Sequence, residues 1–311
     1  MSTLNTHPAA LSLLVTGSLG IDTVSTPSGQ AADVLGGSAV YFAYSAAQYV
    51  PVRVVGVVGE DFPAALRDQL AGRGLDLAGL ETRKGSKTFR WHGRYEGDMS
   101  QAETVEVSLN VLAERGPMVP AAFARSDVVF LANTRPTLQR ELLAQVRSPA
   151  LSVCDTMNLW IATERDSLLK TIGVVSGVML NDGEARQLSG ESNLVEAGEW
   201  LLALGPRFVV IKKGEHGALL VSPEGPVAVP AFPSREVRDP TGAGDSFAGG
   251  LLGYVASRGR VDLPTLRAGL IRGTVAASFT IEDFSLRRLE QLTRPEVDRR
   301  VQQFIEMLRF E

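Results

Sequence analysis

REVRDPTGAGDSFAGGLLGYVA, Arg235 to Ala256, sets Asp239 and Asp245 around a run of small residues, Gly242-Ala243-Gly244, ahead of an apolar, helix-like segment. A glycine-rich turn at a helix N-terminus exposes unpaired backbone N–H groups and the positive end of the helix dipole, so it attracts phosphate. A carboxylate in that position repels phosphate unless it acts on something else. Read alone, the pattern also describes a tight turn and a helix cap. Its detail points further: the amides of Gly242, Ala243 and Gly244 can face negative oxygens while Asp245 accepts a proton from an attacking hydroxyl beside them.

Upstream, short β-branched runs alternate with longer amphipathic ones. LSLLVTG from Leu11, VRVVGVVG from Val52, DVVFLAN from Asp127, ALSVCDT from Ala150, GVMLN from Gly177 and RFVVIKKG from Arg207 read as strands. Helix-like segments lie near 36–49, 62–73, 137–147, 164–175 and 193–204. Near-continuous apolar strands separated by helices predict an α/β fold, a three-layer α/β/α arrangement around a mostly parallel sheet. After GALLVS and PVAVP the chain reads as helical to its end. Two partly polar, extended segments break the rhythm, and they predict a small β-sheet lid from about 22–35 and 86–111 within a single domain over 1–311. In an open parallel sheet, ligands gather at the carboxyl ends of the strands. Asp22, Asp155, Asn158, Asn181, Lys212 and Lys213 all fall there.

Composition narrows the class. With 311 residues, 44% of them apolar, and a net charge of −4, the chain has the make-up of a globular enzyme or binding protein. Its charges are mixed, which argues against nucleic acid or an anionic membrane as partner, and the basic stretch Arg287 to Arg300, broken by Glu290, Glu296 and Asp298, reads as a solvated helix face. A single cysteine, Cys154, excludes an internal disulfide framework, and His7, His92 and His216 lack metal-ligand spacing. No apolar run approaches the roughly 18 residues of a membrane span, and no export signal is evident; a cytoplasmic setting is expected. The first strand is not followed by Gly-x-Gly-x-x-Gly, since GSLGID at Gly17 has the wrong spacing, and no P-loop pattern occurs. A dinucleotide oxidoreductase is therefore not expected.

Three more stretches carry chemistry. In NDGEARQL, Asn181 and Glu184 form a capping-box pattern, and the same two oxygen-bearing groups can hold the water shell of Mg²⁺. IKKGEHGALL places Lys212 and Lys213 before a Gly214/Gly217 turn, either as surface lysines on a hairpin or as cations that screen phosphate charge. LGGSAVYFAYSAAQ puts Gly36-Gly37 before a helix, as a close-packed hinge or a place for substrate approach. Its Tyr41, Phe42 and Tyr44 read as core, and Trp91 and Tyr95 on the lid are aromatics that can cover a ligand.

With these motifs assembled in order, the sequence resembles the ribokinase-like (PfkB) superfamily of carbohydrate and nucleoside kinases over nearly its whole length. The resemblance implies that Asp245 is the base on the acceptor hydroxyl and that Gly242, Ala243 and Gly244 form the anion hole for the γ-phosphate of ATP. It implies that Asn181 and Glu184 organise Mg²⁺, and that Asp239 helps to hold a monovalent cation, commonly K⁺. Asp22, Gly36, Gly37 and Tyr41 would line the acceptor site, with Lys212, Lys213, Gly214, Gly217 and Thr241 on the nucleotide side. Two positions depart from the family pattern: Tyr41 stands where many sugar kinases carry a sugar-binding Asn, either favouring a nucleoside base or packing behind the acceptor, and Lys212 stands where many have Thr. The expected activity is ATP-dependent phosphorylation of an alcohol group of a sugar or sugar derivative. The alternatives are a nucleoside kinase and a nucleotide-binding module without turnover. A homodimer through the lid is a further expectation.

Overall fold

The computed structural model describes residues 9–99 and 101–310; His7 lies outside them. In chain order the elements are β1 (Leu13–Thr16), β2 (Gly20–Thr26), β3 (Gly29–Gly36), α1 (Ser38–Ala46), β4 (Val52–Gly59), α2 (Ala64–Gly72), β5 (Asp76–Arg83), β6 (Phe89–Tyr95), β7 (Ala102–Ser108), β8 (Val128–Leu131), α3 (Pro136–Leu143), β9 (Leu151–Asp155), α4 (Asn158–Thr163) and α5 (Arg165–Ile172). They continue with β10 (Gly177–Asn181), α6 (Asp182–Ser189), α7 (Leu194–Leu202), β11 (Phe208–Lys212), β12 (Ala218–Val221), β13 (Val227–Val229), α8 (Ala243–Ser257), α9 (Leu263–Thr280), α10 (Arg287–Gln291) and α11 (Arg294–Met307).

The large sheet runs β13-β12-β11-β10-β9-β8-β1-β4-β5. It is parallel except where β12 turns back against β11 and β13. Successive residues of its strands enter opposite cores, as the period of two demands. Leu13, Val128, Val153 and Val210 pack against α1, α8 and α9. Leu14, Val129, Cys154 and Val209 pack against α3, α5, α6 and α7. Strands covered on both faces must be apolar almost throughout, which is why they are conspicuous in the sequence.

Helix α8 is the inner column of one helical layer. A Cβ on Gly249 would lie 2.3 Å from the Phe42 carbonyl oxygen of α1, and one on Gly250 would lie 2.6 Å from the Arg272 carbonyl oxygen of α9. The glycines let two helices approach α8 at backbone distance, so the opening stretch encodes both the glycine-rich turn and the way its helix is packed.

The second sheet runs β3-β2-β6-β7. It spans residues 20–36 and 89–108, close to the expected 22–35 and 86–111, and it is mixed, with β2 parallel to β6 and antiparallel pairs outside. It is tied to the body where Thr26 Oγ1 donates to the Arg238 carbonyl at 2.8 Å and Ser285 Oγ to the Leu35 carbonyl at 2.9 Å. One strand, β5, has no counterpart among the sequence-based expectations. It is the half-exposed edge of the large sheet, and DLAGLETR mixes polar and apolar residues without a clean period.

The basic C-terminal stretch is less solvated than its composition suggests. Arg288 and Arg300 both pair with Glu282 and lie over the Phe279 ring, so their charges are spent within the fold. Among the described residues no helix is long and apolar enough to cross a membrane.

Candidate active site

The turn before α8 is set by Asp239, which is fully buried. Its Oδ1 accepts the Thr241 N–H and its Oδ2 the Ser285 N–H, each at 2.9 Å. Burial raises its carboxyl above the ordinary range, and Asp283 adds to the effect, against the lowering pull of those hydrogen bonds. Gly242 follows at φ 74°, a left-handed N-cap that swings the chain into α8. Asp245 lies in the first turn, beside N–H groups with no acceptor inside the helix. The residue is half-buried. Lost hydration, then Asp155, pushes its carboxyl up to about 8; Lys212 opposes this, while Asp22 and Glu184 add to it.

The partners come from the carboxyl ends of neighbouring strands. Lys212 ends β11 and Asp155 ends β9, with β10 between them, and the two side chains meet in a direct ion pair. Lys212 Nζ lies against α8: a Cβ on Gly244 would be 3.2 Å from it. Burial alone would lower the Lys212 pKa, but Asp155, Glu184 and Asp245 outweigh burial and hold it above the ordinary value. The alternation of β11 aims Lys212 into the cluster. Lys213 is outside the strand, and its N–H bonds the Gly217 carbonyl at 2.8 Å. Gly214 presents an open face, with no heavy atom near its Cβ direction, whereas Gly217 is pressed onto the Val229 carbonyl.

At the start of α6 the capping box is complete. Glu184 N–H donates to Asn181 Oδ1 and Asn181 N–H to Glu184 Oε2, both at 2.7 Å. Glu184 is 6% exposed, and burial followed by Asp155 raises its carboxyl to about 7. Capping therefore uses the one side-chain oxygen of Asn181 and one of the two of Glu184, and leaves Glu184 Oε1 outside the cap.

Across the site, Asp22 on β2 lies flat against Gly36, where a Cβ would come within 1.8 Å of Oδ2. Its Oδ1 is buried without a partner. Burial raises its carboxyl to about 7; the Gly37 N–H lowers it and Asp239 raises it. Tyr41 is 1% exposed, with its ring face on Gly242 and a buried, unpartnered hydroxyl. Burial, then Asp239 and Asp22, raises that hydroxyl's pKa. From β6 of the second sheet, Tyr95 reaches Thr241, whose Oγ1 donates to the Tyr95 hydroxyl at 3.3 Å.

The structure thus brings Asp245, Gly244, Lys212, Glu184 and Asn181 to one place, with Asp22, Gly36, Gly37, Tyr41, Thr241 and Asp239 around Gly242. Sequence reasoning placed Asp155 at a strand end without a role and read Tyr95 only as a lid aromatic; their contacts depend on strand order and on how the lid docks. An open depression of about 290 Å³ between Phe232, Arg238 and Glu282 includes none of the acidic cluster.

Known proteins share this arrangement of chain. Residues 22–291 match the family described as pfkB family carbohydrate kinase. A cytidine kinase of Thermococcus kodakarensis is 33% identical over 270 residues, which is 84% of this chain and 94% of that protein. Among solved structures, the adenosine kinase of Sinorhizobium meliloti superposes with a TM-score of 0.79 at 20% identity, covering 94% of this chain and 99% of that one. The aminoimidazole riboside kinase of Salmonella enterica, complexed with aminoimidazole riboside and an ATP analog, gives 0.72 at 18% identity, covering 93% and 99%. At those identities the structural likeness concerns the fold.

Proposed function

The chain belongs to the pfkB family of carbohydrate kinases, and on that footing we propose how its residues carry out phosphoryl transfer and which acceptor they serve. Family membership makes it a phosphotransferase that passes the γ-phosphoryl group of ATP to an alcohol of a sugar or sugar derivative. In our reading Asp245 takes the proton of that alcohol, and the amides around Gly242, Ala243 and Gly244 face the migrating group. The observation that carries it is the placement of Asp245 in the first turn of α8 with Lys212 Nζ against Gly244. Phosphoryl transfer asks mainly for alignment and neutralisation of charge, and a dipole end, an ammonium and a positioned carboxylate answer both needs.

The Asn181 and Glu184 pair fits a hydrated Mg²⁺, a cation held through few carboxylates and several waters. The fit rests on a buried Glu184 that makes no direct ion pair among the described residues, its neighbouring cation Lys212 being paired with Asp155; no group of three ligating His, Cys, Asp or Glu side chains occurs among the described residues. When bound, such an ion would neutralise phosphate charge. Replacing Asn181 and Glu184 together by Ala should raise the Mg²⁺ concentration for half-maximal rate about tenfold or more. A lower melting temperature with an unchanged Mg²⁺ dependence would mean that the pair serves only as a cap. Asp239, buried and without a Lys or Arg partner among the described ion pairs, is the residue we assign to a monovalent cation such as K⁺, and K⁺ titration of the rate tests it.

We assign Asp22 and Gly37 to the acceptor side, with the buried Tyr41 ring packed behind it under Gly242. We favour a nucleoside, with a ribose hydroxyl as acceptor, over a free sugar, because the cytidine kinase relative matches along almost its entire length. With Lys212, Lys213, Gly214 and Gly217 we place the nucleotide on the opposite side; Thr241, expected there, is buried and bonds Tyr95 and Asp239 on the acceptor side instead. A panel of nucleosides and free sugars, scored by ATP consumption, decides: turnover confined to free sugars rejects the nucleoside, and no turnover with any alcohol rejects the enzyme. We read the lid's exposed Val105 and Val107, beside the unpaired edge of β7, as a contact for a second copy, which a solution mass of one chain would refute. A cytoplasmic setting, with the single Cys154 buried and reduced, completes the reading.

A further inference from the structure

We infer that Asp155 is a positioning residue, which holds the Lys212 ammonium over the end of β10 and against the amino terminus of α8, so that Lys212 serves as the protein's own cation on the transferred phosphoryl group. The inference rests on the phosphotransferase reading and adds to it a residue with no role so far.

The geometry is specific. Asp155 and Lys212 end strands that are two places apart, a span of roughly 10 Å at the usual strand spacing. A lysine at a strand end ordinarily turns its ammonium to bulk water while its stem lies on apolar surface. Here it reaches inward across β10 and comes to rest beside Gly244. Asp155 is the acceptor that draws it there, and Asp155 is itself fixed. It is 3% exposed, and its Oδ1 accepts the Thr156 N–H at 2.9 Å while Oδ2 accepts from Lys212. Its carbonyl accepts from Gln139 Nε2 at 2.9 Å, and the same buried amide bonds the Leu131 and Ala132 carbonyls at 3.0 and 3.1 Å. One side chain of α3 thereby ties together the ends of β8 and β9, and the tie is passed through Asp155 to Lys212 and on to the mouth of α8.

Charge supports the same conclusion. Lys212 is in direct contact with Asp155 and within electrostatic reach of Glu184 and Asp245, one cation shared among three acids. A buried ion pair adds little to stability compared with an apolar pair of similar size, so its retention calls for a task. An ammonium has three N–H donors. Among the described residues Lys212 uses one of them, on Asp155. The others remain for oxygens that arrive at the helix terminus, where the dipole already favours an anion.

The test is a kinetic cycle on the intact chain with ATP and an accepted alcohol. Lys212→Ala should lower kcat about 100-fold, and Asp155→Asn about tenfold or more, with acceptor KM changed less than about threefold. In the double variant the loss should match that of Lys212→Ala alone, because Asp155 acts through Lys212. Added propylammonium should restore part of the rate of Lys212→Ala, and markedly less when Asp155→Asn is also present. Thermal unfolding of each variant confirms that folded protein is assayed, and the rescue comparison still decides if Asp155→Asn by itself is poorly folded. Wild-type kcat in Asp155→Asn, multiplicative losses in the double variant, or equal rescue in both backgrounds would overturn the inference while leaving the kinase reading intact. A wild-type chain without phosphoryl transfer would instead overturn that reading.

Discussion

Replacing Asp245 by Asn should leave the protein folded and able to bind ATP while lowering kcat by about 10² to 10⁴, the usual contribution of a positioned base. The amide has nearly the shape of the carboxylate, so the first turn of α8, the Gly242 cap and the ion pair of Lys212 with Asp155 need not move. Only the capacity to take a proton is lost. Turnover at the wild-type rate in folded Asp245→Asn would remove the carboxylate from the chemistry. The pH dependence gives a second handle. A base must be ionised to act, and the Asp245 carboxyl of the empty site stands at about 8, so kcat/KM of the wild type should climb as pH rises towards that value. In Asp245→Asn this limb should disappear from whatever rate remains.

The same group makes a prediction about stability with the opposite appeal. A carboxyl whose pKa rises from 3.8 to about 8 on folding binds more protons in the folded state across that window. Its contribution is fully present below the unfolded value and is lost as pH rises through the folded one. Glu184 and Asp22, each at about 7, act in the same direction. The ligand-free wild type should therefore lose heat resistance between about pH 5 and 8. Asp245→Asn should melt several degrees higher than wild type at pH 8 to 9, with the gap closing at pH 4 to 5, which differential scanning calorimetry measures. A site that stores unfavourable charge for its substrate is one where neutralisation stabilises and disables at once.

Much of this was legible in the chain because the physics is local. The strands of the large sheet are buried on both faces and so appear as unbroken apolar runs, and the Gly-x-Gly-Asp pattern marks a left-handed cap at a helix start, which the structure has at Gly242. The edge strand β5 escaped because nothing requires its solvent side to be apolar. Asn181 and Glu184 supported two readings, and the capping box is present without excluding the second, because Glu184 caps with one of its two carboxylate oxygens and keeps the other. Asp155 is the instructive case. Its residue type and position flagged it, yet its partner could be named only once β9, β10 and β11 were known to be neighbours in that order. Tyr41 is similar. Whether its ring offers a face to a ligand depends on what covers it, and Gly242, about two hundred residues away in sequence, does so.

That contact underlies the second large effect, Gly242→Ala. A new Cβ would lie 2.2 Å from Tyr41 Cγ and 2.3 to 2.4 Å from both Cδ atoms, and the backbone at φ 74° is left-handed. Tyr41 has no room to yield, since it is 1% exposed on a helix that is itself packed against α8. The left-handed residue costs about 1–2 kcal/mol and overpacking about 1–3 kcal/mol, which together suffice to shift the start of α8. A displacement near 1 Å of groups that align a reaction can cost about 10² in rate. We therefore expect a drop of about 100-fold or more in kcat/KM with a lower melting temperature. Gly244→Ala, two residues on, is the control: the nearest atoms to its Cβ would all belong to the Lys212 side chain, Nζ at 3.2 Å and Cδ and Cε at 3.6 and 3.7 Å, and a flexible lysine can give way. It should melt close to wild type while losing activity through Lys212 alone. Truncating Tyr41 to Ala in the Gly242→Ala background removes the clash but not the backbone strain, so the pair should be less destabilising than the sum of its parts. If Gly242→Ala retains wild-type kcat, or if the two substitutions simply add, the ring behind Gly242 does not set the position of the amides.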